Sequence, residues 1–162
     1  MVMRDVKTGM MGIYKSLLTV LLILITLPLA AQDHSKVIID ADMGQLNDDA
    51  VALFMLIQSD TVDVMGVTIV SGNSWMEAET AYALKQLELI DRADIPVFQG
   101  AAIPLMGNRK PWLNAEERLW GNVEYLGAYG KERPESYLEL NEEPYGGYTK
   151  TEPEEQHAVD FI

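Results

Sequence analysis

The sequence predicts an α/β fold built on a parallel sheet, and three features carry that prediction. Short β-branched runs alternate with longer apolar segments in the order strand, helix, strand, helix, strand between Lys36 and Gln99. The first run is hydrophobic at successive positions, as in a strand covered on both faces. Turns rich in Gly, Asn and Asp separate each of the first two strands from the helix that follows, the punctuation of right-handed βαβ crossovers.

Lys36, Val37, Ile38, Ile39 and Asp40 form the first strand, expected to be buried on both faces and ending in a carboxylate. Met43, Gly44, Gln45, Leu46 and Asn47 make a turn. Residues 48–57 follow, apolar on nearly every side, and predict a buried helix with Asn47 or Asp48 as its N-cap. The second strand spans residues 62–70, with Gly66 in its middle. After Ser71, Gly72 and Asn73, the spacing of Ser74 and Glu77 matches a capping box, and Met76, Ala83, Leu84, Leu87 and Ile90 recur at helical intervals. Asp94, Ile95 and Pro96 lead into a short third strand at residues 97–99.

The texture changes between Gly100 and Gly147, where Pro and Gly interrupt every periodic run except a short helical stretch around Asn114 to Trp120. So long a connection is either a loop over the site or an insertion. Thr151, Glu152, Pro153 and Glu154 read as the start of a further helix capped by Thr151, within which the sequence stops. Three parallel strands make a small core, so residues 32–162 are expected to be the N-terminal, incomplete part of a domain that is inactive alone.

Residues 1–31 are set aside as a signal peptide. Arg4, Lys7 and Lys15 precede an apolar run from Leu17 to Ala30, with Pro28 near its end and the small pair Ala30 and Ala31 at the cleavage region. The run is shorter than the roughly 20 residues a spanning helix requires, so export to the periplasm or medium is expected, with no stable membrane anchor after cleavage. Cysteine is absent from the 162 residues, which excludes a disulfide framework, a thiolate zinc site and an acylated anchor. A net charge of −13 repels phosphate backbones and argues against nucleic-acid binding.

In an open parallel sheet, ligands bind beyond the carboxyl ends of the strands, where Asp40, Asp42, Asn73 and Gly100 fall. Asp40, Asp42, Asp48 and Asp49 crowd into ten residues there. Helix capping explains one or two carboxylates at a helix start, but not four. Their mutual repulsion is relieved by raised pKa values or by a bound cation, and oxygen donors without Cys or a local His favour Ca²⁺ or Mg²⁺ over zinc.

The run Val37 to Gly44, followed by Asn47, Asp48, Asp49 and the apolar helix, resembles the N-terminal signature of the inosine/uridine-preferring nucleoside hydrolases, an Asp-x-Asp-x-Gly turn leading into paired Asp. Residues 67–73 resemble that family's second segment, and residues 95–101 with Pro104 and Leu105 its third, in the family's order. The resemblance implies a Rossmann-like parallel sheet of the nucleoside hydrolase type, truncated here after about three strands. It also implies hydrolysis of the N-glycosidic bond of ribonucleosides in purine and pyrimidine salvage, with Ca²⁺ as cofactor and a small nucleoside as partner; a homo-oligomer is compatible with it.

On the same resemblance, Asp42 ligates Ca²⁺ and takes the proton of the attacking water, and Asp49 is the second ligand. Asp48 and Asn73 hold ribose hydroxyls, and Asp40 supports them from behind. Two departures stand out: Met43 replaces the usual Pro, and Gln45, Leu46 and Asn47 stand where the family has one residue. Two other readings compete. One is a haloacid-dehalogenase-like phosphatase with Asp40 as nucleophile, Asp42 as acid and Ser71 as second-strand hydroxyl. The other is an exported nucleoside- or ribose-binding module without catalysis. Trp75, Trp112, Trp120, His34 and His157 are read as structural or surface residues.

Overall fold

The computed structural model describes residues 15–18, 33–105 and 107–162. The chain divides into two compact units, Met1–Asp33 and His34–Ile162. In the first, residues 15–18 are helical and the rest of the expected signal peptide lies outside the described residues. No helix among the described residues is long and apolar enough to cross a membrane.

The second unit carries β1 (Ser35–Ala41), α1 (Asp48–Ile57), β2 (Val62–Ile69), α2 (Met76–Leu89), β3 (Val97–Gln99), α3 (Lys110–Trp120), a 3₁₀ turn (Gly127–Gly130) and α4 (Ala158–Phe161). The strands form a three-stranded sheet in the order β1-β2-β3, and both pairings are parallel. Because the strands lie in chain order, right-handed crossovers place α1 and α2 on the same face. Ala41, Val67, Ile69 and Val97 of the sheet share one core with Leu53 of α1 and with Leu84 and Leu87 of α2. Leu53 and Ile69 are fully buried, and each such side chain contributes about 1.5–3 kcal/mol relative to exposure.

This one-sided arrangement corrects two expectations. β1 alternates between partly buried and exposed positions instead of being covered on both faces, and Ile38 and Asp40 are exposed. Only Ala50 and Leu53 of α1 are buried, while Val51 and Met55 face outward. An edge strand and its crossover helix have one neighbour each, so their apolar composition exceeds what the described fold covers. On the opposite face near β3, Phe98 and Phe161 stack with centroids 3.8 Å apart, over Gly66. A Cβ at Gly66 would stand 2.9 Å from the Phe161 ring, so the glycine allows α4 to dock.

Two helix starts also differ from expectation. Trp75 is the N-cap residue of α2 and makes no side-chain cap; the Ser74–Glu77 box does not form. Instead Ser71 Oγ accepts the Met76 N–H (2.8 Å), and Glu79 accepts the Ser74 N–H. Glu77 is drawn away by Arg133, which donates to it from Nε at 3.0 Å and from Nη2. Thr151 caps no helix: its N–H and hydroxyl donate to Glu88 at 2.9 and 3.1 Å, and the last helix begins at Ala158, where His157 Nδ1 accepts the Val159 N–H. Between them, Glu154 pairs with β3 as an isolated parallel bridge to Phe98.

Candidate active site at the carboxyl ends of the first two strands

β1 ends at Ala41 and β2 at Ile69, and the two exits are stitched together by Asp42 and Asn73. The Asn73 backbone N–H donates to Asp42 Oδ2 and its Nδ2 donates to the Asp42 carbonyl, both at 2.9 Å. Gly72 makes this approach feasible, because a Cβ there would stand 2.1 Å from Asp42 Oδ2. Asn47 is the N-cap of α1: its Oδ1 accepts the Ala50 N–H at 3.3 Å, and its Nδ2 donates to Asp49 Oδ2 at 3.3 Å.

That cap turns Asp49 back toward the strand ends. Burial raises the pKa of Asp49, and the neighbouring negative charges of Asp42 and Asp48 raise it further, against the Asn47 amide, which lowers it. A carboxylate whose pKa is raised by burial and by neighbouring carboxylates is relieved either by a proton or by a hard cation. Among the described residues no group of three or more His, Cys, Asp or Glu side chains is placed to hold a metal ion.

Of the remaining residues singled out in the sequence, Asp48 is exposed in the first turn of α1, beside Asp49. Asp40 is exposed on β1, where its Oδ1 accepts the Thr68 hydroxyl at 2.7 Å across the strand pair. Ser71 is a brace, its hydroxyl donating to the Ala102 carbonyl at 2.8 Å while accepting from Met76. The lengthened loop is fixed by a buried residue of α2, as Gln86 Nε2 donates to the carbonyls of Gly44 and Gln45, both at 2.8 Å. Met43, in the place of the usual Pro, is fully buried and anchors the same loop to the core.

Two residues at the site have no counterpart among the sequence-based candidates. Glu79 is fully buried in α2, and its pKa is pushed up to about 9, chiefly by burial and further by the charges of Asp42 and Asp49. It lies three residues after Met76 and four before Ala83, so the helical stripe itself put a carboxyl among the core positions. The second is Tyr125, whose hydroxyl donates to Asn73 Oδ1. No periodicity could have located it, because it belongs to the Gly- and Pro-broken segment.

A cavity of about 520 Å³ is lined by the loop from Gly44 to Asn47, by Asn73 and by residues 124–127, 130 and 131. The family model described as inosine-uridine preferring nucleoside hydrolase matches residues 37–162, from β1 through the strand-end turns and on to α4. The chain belongs to the nucleoside hydrolase family.

Individual nucleoside hydrolases agree with it. The chain is 40% identical over 82 residues to a probable uridine nucleosidase 2 of Arabidopsis thaliana, covering 51% of this chain and 25% of that protein. It is 39% identical over 72 residues to the pyrimidine-specific ribonucleoside hydrolase RihA of Escherichia coli O1:K1, covering 44% of this chain and 22% of that protein. A solved plant nucleoside hydrolase, PpNRh1, superposes with a TM-score of 0.51 at 28% identity over 78% of this chain and 33% of that one. The matched stretches thus span about a quarter of these curated relatives' length. The α/β fold with its parallel sheet is thus that of a nucleoside hydrolase.

Proposed function

We propose that the full-length protein hydrolyses the N-glycosidic bond of ribonucleosides, releasing free base and ribose, and that the strand-end site supplies its metal and ribose ligands. The observation that carries this reading is the double hydrogen bond of Asn73 to Asp42 at the strand ends, in a chain matched by the nucleoside hydrolase family model over residues 37–162. A second carboxylate would be placed against Asp42 at a net cost unless a cation or proton joined them.

In this reading Asp42 and Asp49 hold Ca²⁺, which when bound lowers the pKa of a water and orients the ribose diol. Asp42 takes the proton of the attacking water, its Oδ2 already oriented by the Asn73 N–H. Asp48 and Asn73 hold ribose hydroxyls, and Asp40, tied to Thr68, stiffens the end of β1 behind them. Attack falls on an anomeric carbon with oxocarbenium character as the base departs. Export to the periplasm or medium, with residues 1–31 removed, belongs to the same proposal.

The phosphatase alternative loses its hydroxyl, since Ser71 is committed to Met76 and Ala102. The test is release of free base from inosine and from uridine by the purified full-length protein, in Ca²⁺ and in chelator. Calcium-dependent release supports the assignment. Nucleoside binding with no release of base from any ribonucleoside would instead make the protein a binding module.

A further inference from the structure

The loop joining β1 to α1 runs from Asp42 to Asn47, and its path sets how Asp48 and Asp49, in the first turn of α1, stand relative to Asp42. Its two ends lie close together. Asn47 Nδ2 reaches back to the Asp42 carbonyl at 3.5 Å, and a Cβ on Gly44 would stand 3.0 Å from Asn47 Cγ. Between those ends the loop is held from the core by Gln86 of α2, whose Nε2 donates to the consecutive carbonyls of Gly44 and Gln45. On the outer side, Gln45 Oε1 accepts the Tyr145 N–H at 3.0 Å.

Core packing does not account for a glutamine at position 86. The residue is 2% exposed, next in sequence to the core residue Leu87. Its Oε1 is buried and has no hydrogen-bond partner among the described residues. A buried amide oxygen without a partner costs stability that a methionine of similar volume would not. What the glutamine supplies, and an apolar side chain cannot, is a pair of N–H donors, and both are used on the loop. The same helix holds the other strand-end turn, because Glu79, seven residues earlier and so on the same face, accepts the Ser74 N–H. Both turns of the site are thereby set against one buried helix.

We propose that Gln86 is a positioning residue of the strand-end site, holding the Gly44–Gln45 backbone so that Asn47 caps α1 and Asp49 is presented to the same cation as Asp42. This rests on the reading of Asp42 and Asp49 as metal ligands given above. Met43 anchors the start of the loop and Asn47 its end, and the stretch between them contains a glycine and the exposed Leu46. Left free, that stretch samples many paths, and ordering it on binding costs conformational entropy. A loop already fixed by two bonds avoids that cost. Without them the carboxylates are in place in a smaller fraction of molecules, and the apparent affinity falls by that fraction.

Gln86→Met and the shorter Gln86→Leu both remove the donors and leave a side chain suited to the buried position. Glu88→Gln is the control: it lies on the same helix, is bonded to residues 149–151, and loses stability without touching the loop. Two quantities are measured in the full-length protein, at a temperature where every variant is folded. One is Ca²⁺ affinity by calorimetry. The other is hydrogen exchange of the Ala50 amide in chelator, since that N–H is bonded to Asn47 Oδ1 and reports the cap with no cation present. Both Gln86 variants should bind Ca²⁺ at least about fivefold more weakly, the loss expected from two modest hydrogen bonds, and should exchange Ala50 faster by a similar factor. Glu88→Gln should leave both quantities unchanged while melting lower. Either quantity staying within about twofold of the unmodified protein in the Gln86 variants would overturn the proposal, as would equal changes in Glu88→Gln, since both would reduce Gln86 to a structural residue. Absence of Ca²⁺ binding by the unmodified protein would refute the metal reading itself, and Ala50 exchange in chelator would still decide whether Gln86 holds the loop.

Discussion

Asn73 holds Asp42 twice, through its backbone N–H to the carboxylate and through its side-chain amide to the carbonyl, each at 2.9 Å. The last residues of two parallel strands are thereby locked into one unit, and the proposed base cannot turn without breaking a bond to its neighbour. Removing the side-chain half of this clamp with Asn73→Ala should cost about 1 kcal/mol of stability, the usual net value of one hydrogen bond. Nucleoside binding should fall as well, since the same side chain is proposed to hold the ribose. A melt in chelator paired with calorimetric titration of inosine checks both, and unchanged nucleoside affinity would remove Asn73 from the ribose site.

Asp42→Asn tests the proposed chemistry most directly. It leaves the shape of the site but removes a ligand charge and the water's proton acceptor, and general-base catalysis alone contributes about 10²- to 10⁴-fold. The expected drop in kcat for nucleoside hydrolysis is at least 100-fold, roughly the lower end of that range. A variant within about threefold of the unmodified enzyme would dismiss Asp42 as the base.

Asp49→Ala separates metal binding from catalysis. The proposed ligation of Ca²⁺ by Asp49 together with Asp42 predicts that calcium binding, seen calorimetrically in the full-length protein, disappears in the variant. In chelator the variant should be no less stable than the unmodified protein, because a repulsive neighbour has been removed.

Gly72→Ala should be among the most damaging single-methyl changes in the chain. The added Cβ meets Asp42 Oδ2 at 2.1 Å, so the turn or the carboxylate has to move. Overpacking of this kind costs about 1–3 kcal/mol, and here the displaced group is also the proposed metal ligand. Loss of stability with calcium affinity intact would show that the turn yields and Asp42 does not.

The pH dependence of stability in chelator has opposite signs on its two flanks. Glu79 rises in the folded state from 4.5 to about 9, so folding favours its protonated form. Its contribution is complete below the unfolded value and is lost as pH climbs toward 9, with Asp49 adding a slope of the same sign. Glu88 runs the other way. Bonds from Lys150, Thr149, Thr151 and Lys85 outweigh its desolvation and hold it at about 2, so its contribution is present above 4.5 and is lost as pH falls toward 2. Melting temperature against pH should therefore flatten on the alkaline side in Glu79→Gln and on the acid side in Glu88→Gln. A Glu79→Gln profile that keeps its full alkaline slope would mean that Glu79 is already ionised in the fold.

The strands, the N-cap at Asn47 and the grouping of Asp42, Asp49 and Asn73 at one end of the sheet were legible in the sequence. Periodicity of two and of 3.6, capping chemistry and βαβ connectivity are local rules, and they place these residues within a few positions of where they lie. Burial was not legible to the same degree. Val51 and Met55 have the composition of core residues and are exposed, because coverage depends on which elements stack on a face and not on the helix alone.

Glu79 and Tyr125 mark the same boundary from the other side. Glu79 reads as an ordinary helical carboxylate until the fold encloses it beneath the Gly72–Ser74 turn, where burial rather than residue type sets its protonation. Tyr125 lies 52 residues from Asn73, and the bond between them exists only because Ala128, Trp75 and Arg133 fasten an irregular segment onto α2 and the turn before it. The sequence by itself determined the three strands, the two crossover helices and the placing of Asp42 and Asp49 at the strand ends, since these follow from neighbours within one or two helical turns, but not the helix starts expected at Ser74 and Thr151. Only the tertiary structure decided which face is covered, which carboxyl keeps its proton and which aromatic ring stands over the cavity. These depend on contacts whose partners are far apart in the chain, and no local spacing encodes them.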